Sequence, residues 1–359
     1  MEFLVIIHRY LTREILKPLI AVCSILIVIF VSYKSDRYLA DVVDGILPAN
    51  TVISLLFLKA TIALEVLLPI TLYLSVVIGL GRLYTDSEMT ALFACGVSPK
   101  TVLRSVFVFS LLLAVLVGTL SLFVRPWAYE KSYRITAQAE NDLDFSQIRS
   151  GHFYEKNHGD RVVFVDDRDY SETSNNGVFT LTERDNVVQA IVAQRAYQKT
   201  DQITGQKTIV FADGHRYTLS RDGSRDYIIR FGSMTIQLKD KEHRPGYKRK
   251  AAPTQHLAAS TDSYDIAEFQ WRLSTALSTV LLGLLGIPLS RASPRQGKYA
   301  KLLTAVIIYA VYYNLVAIAR NWVEQGVVGP LPGIWWAHAL LGCTVVLWFS
   351  LSPREAQLR

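Results

Sequence analysis

Cysteine is scarce: the 359 residues contain three, and none falls in the polar middle of the chain. A disulfide framework is therefore excluded there, and no Cys or His spacing suits a metal. No GxxxxGK[ST] segment occurs, so the chain is not expected to bind ATP through a Walker loop. Gly205-Gln206-Lys207-Thr208 has the wrong context, between two expected strands. A GxSxG elbow and an HExxH pair are also missing, and the seven histidines are scattered. The chain by itself is read as not an enzyme and as holding no cofactor. Charge is sparse too, at 19%.

What is abundant is apolar sequence. Residues 1–124 and 266–352 are dominated by long apolar runs, whereas 125–265 has ordinary soluble composition. About 20 apolar residues are needed to cross roughly 30 Å of hydrocarbon, so the chain reads as a membrane protein with one inserted soluble domain. The net charge of +7 is a topology signal, which argues against a nucleic-acid partner. His8, Arg9, Arg13 and Lys17, then Arg82, Lys100 and Arg104, then Arg291, Arg295, Lys298 and Lys301, and finally Arg354 and Arg359 lie on alternate connections. Cytoplasmic segments carry such charge. The N-terminus is basic and then apolar, but Phe30-Val31-Ser32-Tyr33-Lys34 is no signal-peptidase site, so it is kept as an anchor.

Six spans follow, at about 15–33, 51–80, 101–124, 266–289, 299–322 and 334–351, with both termini inside. Residues 1–14 read as an amphipathic helix on the inner surface. Lys59 and Glu65 lie within the second span, where charge is costly unless it faces protein or water. Gly283 and Gly286 permit close helix approach in the fourth. Between the third and fourth spans, period-two segments with turn residues at Gly205, Asp213-Gly214 and Asp222-Gly223 predict about seven strands in a β-sandwich or jelly roll, facing the outside by parity. Residues 239–263 read as a mobile basic linker.

The stretch 81–100 is the hinge between the second and third spans. Thr85 or Ser87 could cap a short helix over about 85–96, with Asp86 and Glu88 in its first turn and Cys95-Gly96 as a left-handed stop before Pro99. Such a helix is a handle for a soluble partner, and Glu88, Phe93, Cys95 and Gly96 are its candidate contacts. Glu88 is equally a first-turn acid favoured by the dipole. Toward the other side, Lys34 and Arg37 share one helix face and either snorkel to head groups or bind phosphates of an anionic lipid. Tyr309, Tyr313, Val316 and Arg320 form a stripe that suits helix packing or the wall of a cavity for an amphiphile. Lys59 is a third candidate contact for that amphiphile.

Together, Arg9-Tyr10-Leu11-x-Arg13-Glu14, Gly81-x-Leu83-Tyr84-x-x-Ser87-Glu88, Ala94-Cys95-Gly96, Trp271-Arg272 and Pro294-Arg295-Gln296-Gly297 resemble the LptF/LptG permeases of the Gram-negative lipopolysaccharide exporter. The Ala-Cys-Gly hinge and the Pro-Arg-Gln-Gly loop look more like the LptF branch. The resemblance implies a six-span permease of the bacterial inner membrane with a periplasmic β-jelly roll, paired with an LptG-like permease. It implies an LptB-like ATPase dimer as the site of ATP hydrolysis, and LptC-like and LptA-like bridge proteins as further partners. Lipopolysaccharide would be the cargo. It also implies that Glu88 lies in the coupling helix docked on the ATPase, and that Lys34 and Arg37 stand at the rim of the substrate cavity. Two other readings stay open at this point: a membrane-anchored periplasmic assembly or signalling protein, and a machine that transmits force without passing lipid.

Overall fold

The computed structural model describes residues 2–43, 49–141, 151, 153–156, 161–169, 174–184, 187–200, 207–220, 226–237, 247–291 and 301–351. It divides into two compact units, one of residues 1–36, 54–133 and 247–359, the other of 37–53 and 134–246.

In the first unit the amphipathic segment and the first span are one helix, α1 (Glu2–Val43), with Pro18 inside it. α2 (Ala49–Thr85) leads to the hinge helix α3 (Glu88–Ala94), and α4 (Pro99–Thr119) follows. The third span does not close at 124 as expected. It continues through a π-helical turn, Leu120–Val124, into α5 (Arg125–Asn141). Pro126 has no N–H to offer the carbonyl of Leu122 one turn back. That oxygen instead accepts from Thr254 Oγ1 at 2.6 Å, which lets the helix run past the proline.

Five helices are long and apolar enough to cross a bilayer: Val5–Ala40, Thr51–Thr85, Pro99–Ala137, Ser263–Ser290 and Leu302–Glu324. The two last lie within α7 (Ser263–Ser290) and α8 (Leu302–Glu324). The sixth expected span is the shorter apolar helix α9 (Trp335–Leu351). The Pro294–Gly297 motif lies outside the described residues.

α2 and α7 are the most buried of the long helices and form the centre of the unit. Tyr73, Leu74 and Val77 of α2 pack with Leu282 and Leu285 of α7, Tyr312 and Val316 of α8, and Leu341 and Val345 of α9. The expected close approach at Gly283 and Gly286 is present. A Cβ at Gly283 would stand 2.1 Å from Ser110 Oγ, and one at Gly286 2.8 Å from Val76. Only glycine admits α4 and α2 at that distance.

The 239–263 linker is corrected from residue 247 onward. Arg249–Ala251 forms a 3-10 turn and Thr254–Ala259 a short helix, α6. Asp262 then caps α7, its side chain accepting from Tyr264 N. Ordered backbone appears here because Arg272, at 0% exposure, donates to the carbonyls of Arg249, Lys250 and Ala252. Residues 239–246 lie outside the described set.

In the second unit six strands form one antiparallel sheet in the order β1-β2-β3-β4-β5-β6. They are β1 (Phe153–Lys156), β2 (Arg161–Asp169), β3 (Ser174–Arg184), β4 (Val187–Thr200), β5 (Lys207–Ser220) and β6 (Tyr227–Gln237). Each pairs with its neighbour in sequence, and the Greek-key crossover of a two-sheet jelly roll does not occur among the described strands. The expected fifth and sixth strands are one, because Asp213-Gly214 is not a turn. A type I′ turn needs positive φ at both residues, and only Asp213 has it, at 52°. The pairing of β4 with β5 keeps its register from Val187↔Ser220 to Thr200↔Lys207. Val165, Val178, Ile191, Ala193, Ile209 and Phe211 form the sheet's apolar core.

Candidate functional site: a buried charge network beside a tyrosine-lined pocket

The apolar helices of the first unit enclose a set of charges. Glu65 of α2 pairs with Arg125 Nε of α5 at 3.1 Å and accepts from Ser121 Oγ at 2.9 Å. Arg125 also reaches Glu268 of α7 at 2.9 Å. Glu268 in turn meets Arg272 at 3.3 Å, one turn along its own helix, and Arg320 of α8 at 3.0 Å. Arg320 closes the set on Glu324 at 2.8 Å. Three carboxylates and three guanidiniums thus balance, as apolar surroundings require.

Beside this network lies a partly open pocket lined by Glu65, Trp271, Ser278, Tyr309, Tyr312 and Tyr313 among others. The Tyr309 and Tyr313 rings stack at 5.9 Å, and Trp271 meets Tyr313 edge-on at 6.1 Å. Ser278 Oγ bonds the Tyr312 hydroxyl at 2.7 Å and His338 Nε2 at 3.0 Å, so the polar atoms of the wall satisfy one another. The wall left to a guest is largely apolar and aromatic.

The stripe of Tyr309, Tyr313 and Arg320 is therefore brought to one place. Arg320 nevertheless spends its charge on two carboxylates and lies over the Trp271 ring at 5.1 Å. Lys59 stands over the Tyr129 ring at 5.3 Å, and Lys34 and Lys250 are near enough to act on it electrostatically. Glu65 is bound to Arg125, not to Lys59. Lys34 lies over the rings of Phe30 and Tyr33 at 5.8 and 5.4 Å. Arg37 is exposed and belongs to the unit that contains the sheet.

Sequence reasoning missed Arg125 and Glu268, and treated Arg272 only as part of a motif. The signal was legible: Glu268 and Arg272 are spaced i, i+4 in an apolar run, the spacing at which opposite charges meet on a helix. No group of three or more His, Cys, Asp or Glu among the described residues could hold a metal.

At the other end of α2 the hinge is tied to the first helix. Ser87 sits at the N-cap with φ 61° and makes no side-chain cap, while Thr85 Oγ1 turns back to Gly81 O at 3.0 Å. The expected cap bond is thus not made. The left-handed stop is there, with Gly96 at φ 88° and Val97 N bonded to Leu92 O at 3.1 Å. Glu88 accepts from the Tyr10 hydroxyl, and Arg82 reaches Glu88 at 3.6 Å, Asp86 at 3.4 Å and Glu14 at 2.8 Å. Met89 is buried, Phe93 packs on the same core, and Cys95 and Gly96 are exposed.

The model of the lipopolysaccharide export permease family LptF/LptG matches residues 9–351. The chain belongs to the LptF/LptG family. Lipopolysaccharide export system permease protein LptF of Escherichia coli K12 is 26% identical over 360 residues, covering 98% of this chain and 97% of that protein. The proteins of that name from Escherichia coli O157:H7 and Shigella flexneri match with the same figures. An LptF/LptG family chain is a transport permease. As a member of that family this chain is a lipopolysaccharide export permease, and five of its helices are long and apolar enough to cross a membrane.

Proposed function

We propose that this chain is the permease subunit that extracts lipopolysaccharide from the inner membrane and passes it to a periplasmic bridge, driven by a separate ATPase. The observation that carries the reading is the pairing of family membership with a site for each half of the cargo. An apolar, aromatic pocket takes acyl chains, and Lys34 and Lys59, which have no carboxylate partner among the described residues, take phosphates. Both residues, with Tyr309 and Tyr313, are assigned to cargo binding, and Arg37 joins Lys34 at the rim. Arg320 is assigned to hold the wall through Trp271 and Glu268.

Six spans with cytoplasmic termini put the hinge inside. Glu88, Phe93, Cys95 and Gly96 then form the face that meets an LptB-like ATPase dimer, which alone holds ATP. An LptG-like permease completes the membrane path. The six-stranded antiparallel sheet of the insert serves to hand acyl chains, over its apolar core, to LptC-like and LptA-like proteins. Acyl chains cannot cross water unshielded, because all of their apolar surface would be exposed.

The test is photocrosslinking of lipopolysaccharide to the cavity in Lys34→Asp with Arg37→Asp. Crosslinking is expected to fall by about fivefold or more, since charge-assisted phosphate contacts are the strong ones and reversal makes them repulsive. Unchanged crosslinking removes the pair as a phosphate site.

A further inference from the structure

Two lysines lie outside the residues assigned so far. Tyr129 and Tyr133 stack one turn apart on α5 with ring centroids at 5.9 Å. Lys59 lies 5.3 Å and Lys250 5.8 Å from the Tyr129 ring, and Lys248 lies 6.0 Å from that of Tyr133. Three ammonium groups thus converge on one aromatic pair from two separate elements, α2 and the segment before α6.

That segment is built to hold them. Besides the carbonyls, Arg272 donates to Thr254 Oγ1 at 3.0 Å. Tyr247 donates to Asp265 Oδ1 at 2.8 Å, and Arg249 Nε donates to the same oxygen at 3.0 Å. Burial, and then its bond to the Asp265 carboxylate, push the Tyr247 hydroxyl up to about 12, so that donor stays protonated. The arginines here are spent on carboxylates: Arg249 on Asp265, Arg125 and Arg272 on Glu268. The lysines are not. Among the described residues Lys59, Lys248 and Lys250 have no carboxylate partner, although they stand near one another. Aromatic faces offset like-charge repulsion only in part, and an anion between the ammonium groups would offset the rest.

We infer that Lys248 and Lys250, with Lys59, form a second anion subsite over the Tyr129–Tyr133 pair, fitted to a phosphate monoester carried on an amphiphile's head group. The inference rests on the export reading for the source of the phosphate. Lys34 would then hold one phosphate of a doubly phosphorylated head, and the lysines of the pinned segment the other. Arg272 is a positioning residue, acting through the backbone it holds.

The experiment uses the full chain in its membrane complex, in nanodiscs of phosphatidylcholine, with bisphosphoryl and monophosphoryl lipid A as probes. The wild type is expected to prefer the bisphosphoryl form by about tenfold, the scale of one charge-assisted contact. Lys248→Ala with Lys250→Ala should reduce that preference to about one, while monophosphoryl binding stays within about twofold. Lys248→Arg with Lys250→Arg should keep the preference, because a guanidinium also binds phosphate. A double alanine variant with the full preference overturns the subsite and leaves the export reading standing. A wild type that binds neither lipid overturns the export reading and the inference with it. Inorganic phosphate in large excess should leave the preference in place; its loss to free phosphate overturns the head-group assignment.

Discussion

At the hinge, Arg82 is shared among Glu14, Asp86 and Glu88; the Arg82, Asp86 and Glu88 side chains are 39%, 34% and 38% exposed, and only Glu14 is closed off, at 6%. At Glu65, 17 residues back along α2 from Arg82 and so about 26 Å of helix away, Glu65, Arg125, Glu268 and Arg272 hold side-chain exposures of 6% or less. Both are networks of acids around arginines, yet they differ in what they can do. Exposed pairs are weak and screened, so they can open and re-form against a partner. Buried pairs are weak evidence of net stability, but losing one member leaves a charge stranded, so they fix a geometry. The contrast assigns motion to the hinge and rigidity to the buried network.

The sharpest way to break this contrast is Glu268→Ala, which leaves Arg125, Arg272 and Arg320 facing one another. A loss of about 3–5 kcal/mol is expected, read as a lowered melting temperature in detergent. A loss under about 1 kcal/mol would mean that water reaches the network and that it is not rigid. Next is Gly283→Val, where even the first carbon meets Ser110 Oγ at 2.1 Å. Overpacking of this kind costs about 1–3 kcal/mol, and Ser110→Ala should relieve part of it in the double variant. Smallest is Arg82→Ala at the hinge, where Glu14 keeps Lys17 at 2.6 Å and is not stranded, so the expected cost is about 1 kcal/mol or less. Its effect should shrink further as salt is raised, whereas that of Glu268→Ala should not.

Much of this arrangement is legible in the residues. Apolar runs mark the spans, Gly283 and Gly286 the close crossings, and Gly96 the hinge stop. What the sequence hides is long-range pairing. Glu65 and Arg125 are 60 positions apart, and nothing local tells that one neutralises the other. Asp213-Gly214 misleads because the dipeptide suits a turn, while strands on both sides hold it in the ladder. The 247–259 segment reads as a loose basic linker because its order comes from Arg272, a residue of the next helix, and from Asp265. At the hinge the acids are legible, but Tyr10, the donor to Glu88, sits 78 positions away.

The central claim, as proposed, is that hydrolysis by another polypeptide, felt at the hinge, lifts a phosphorylated amphiphile held near the buried network. Mild-detergent purification of the full chain, with mass spectrometry of the proteins and lipids that travel with it, tests this most directly. A nucleotide hydrolase and lipopolysaccharide should both be found with the wild type. Glu88→Ala should lose the hydrolase and keep the lipid. Recovery of the wild-type chain with neither would contradict the account.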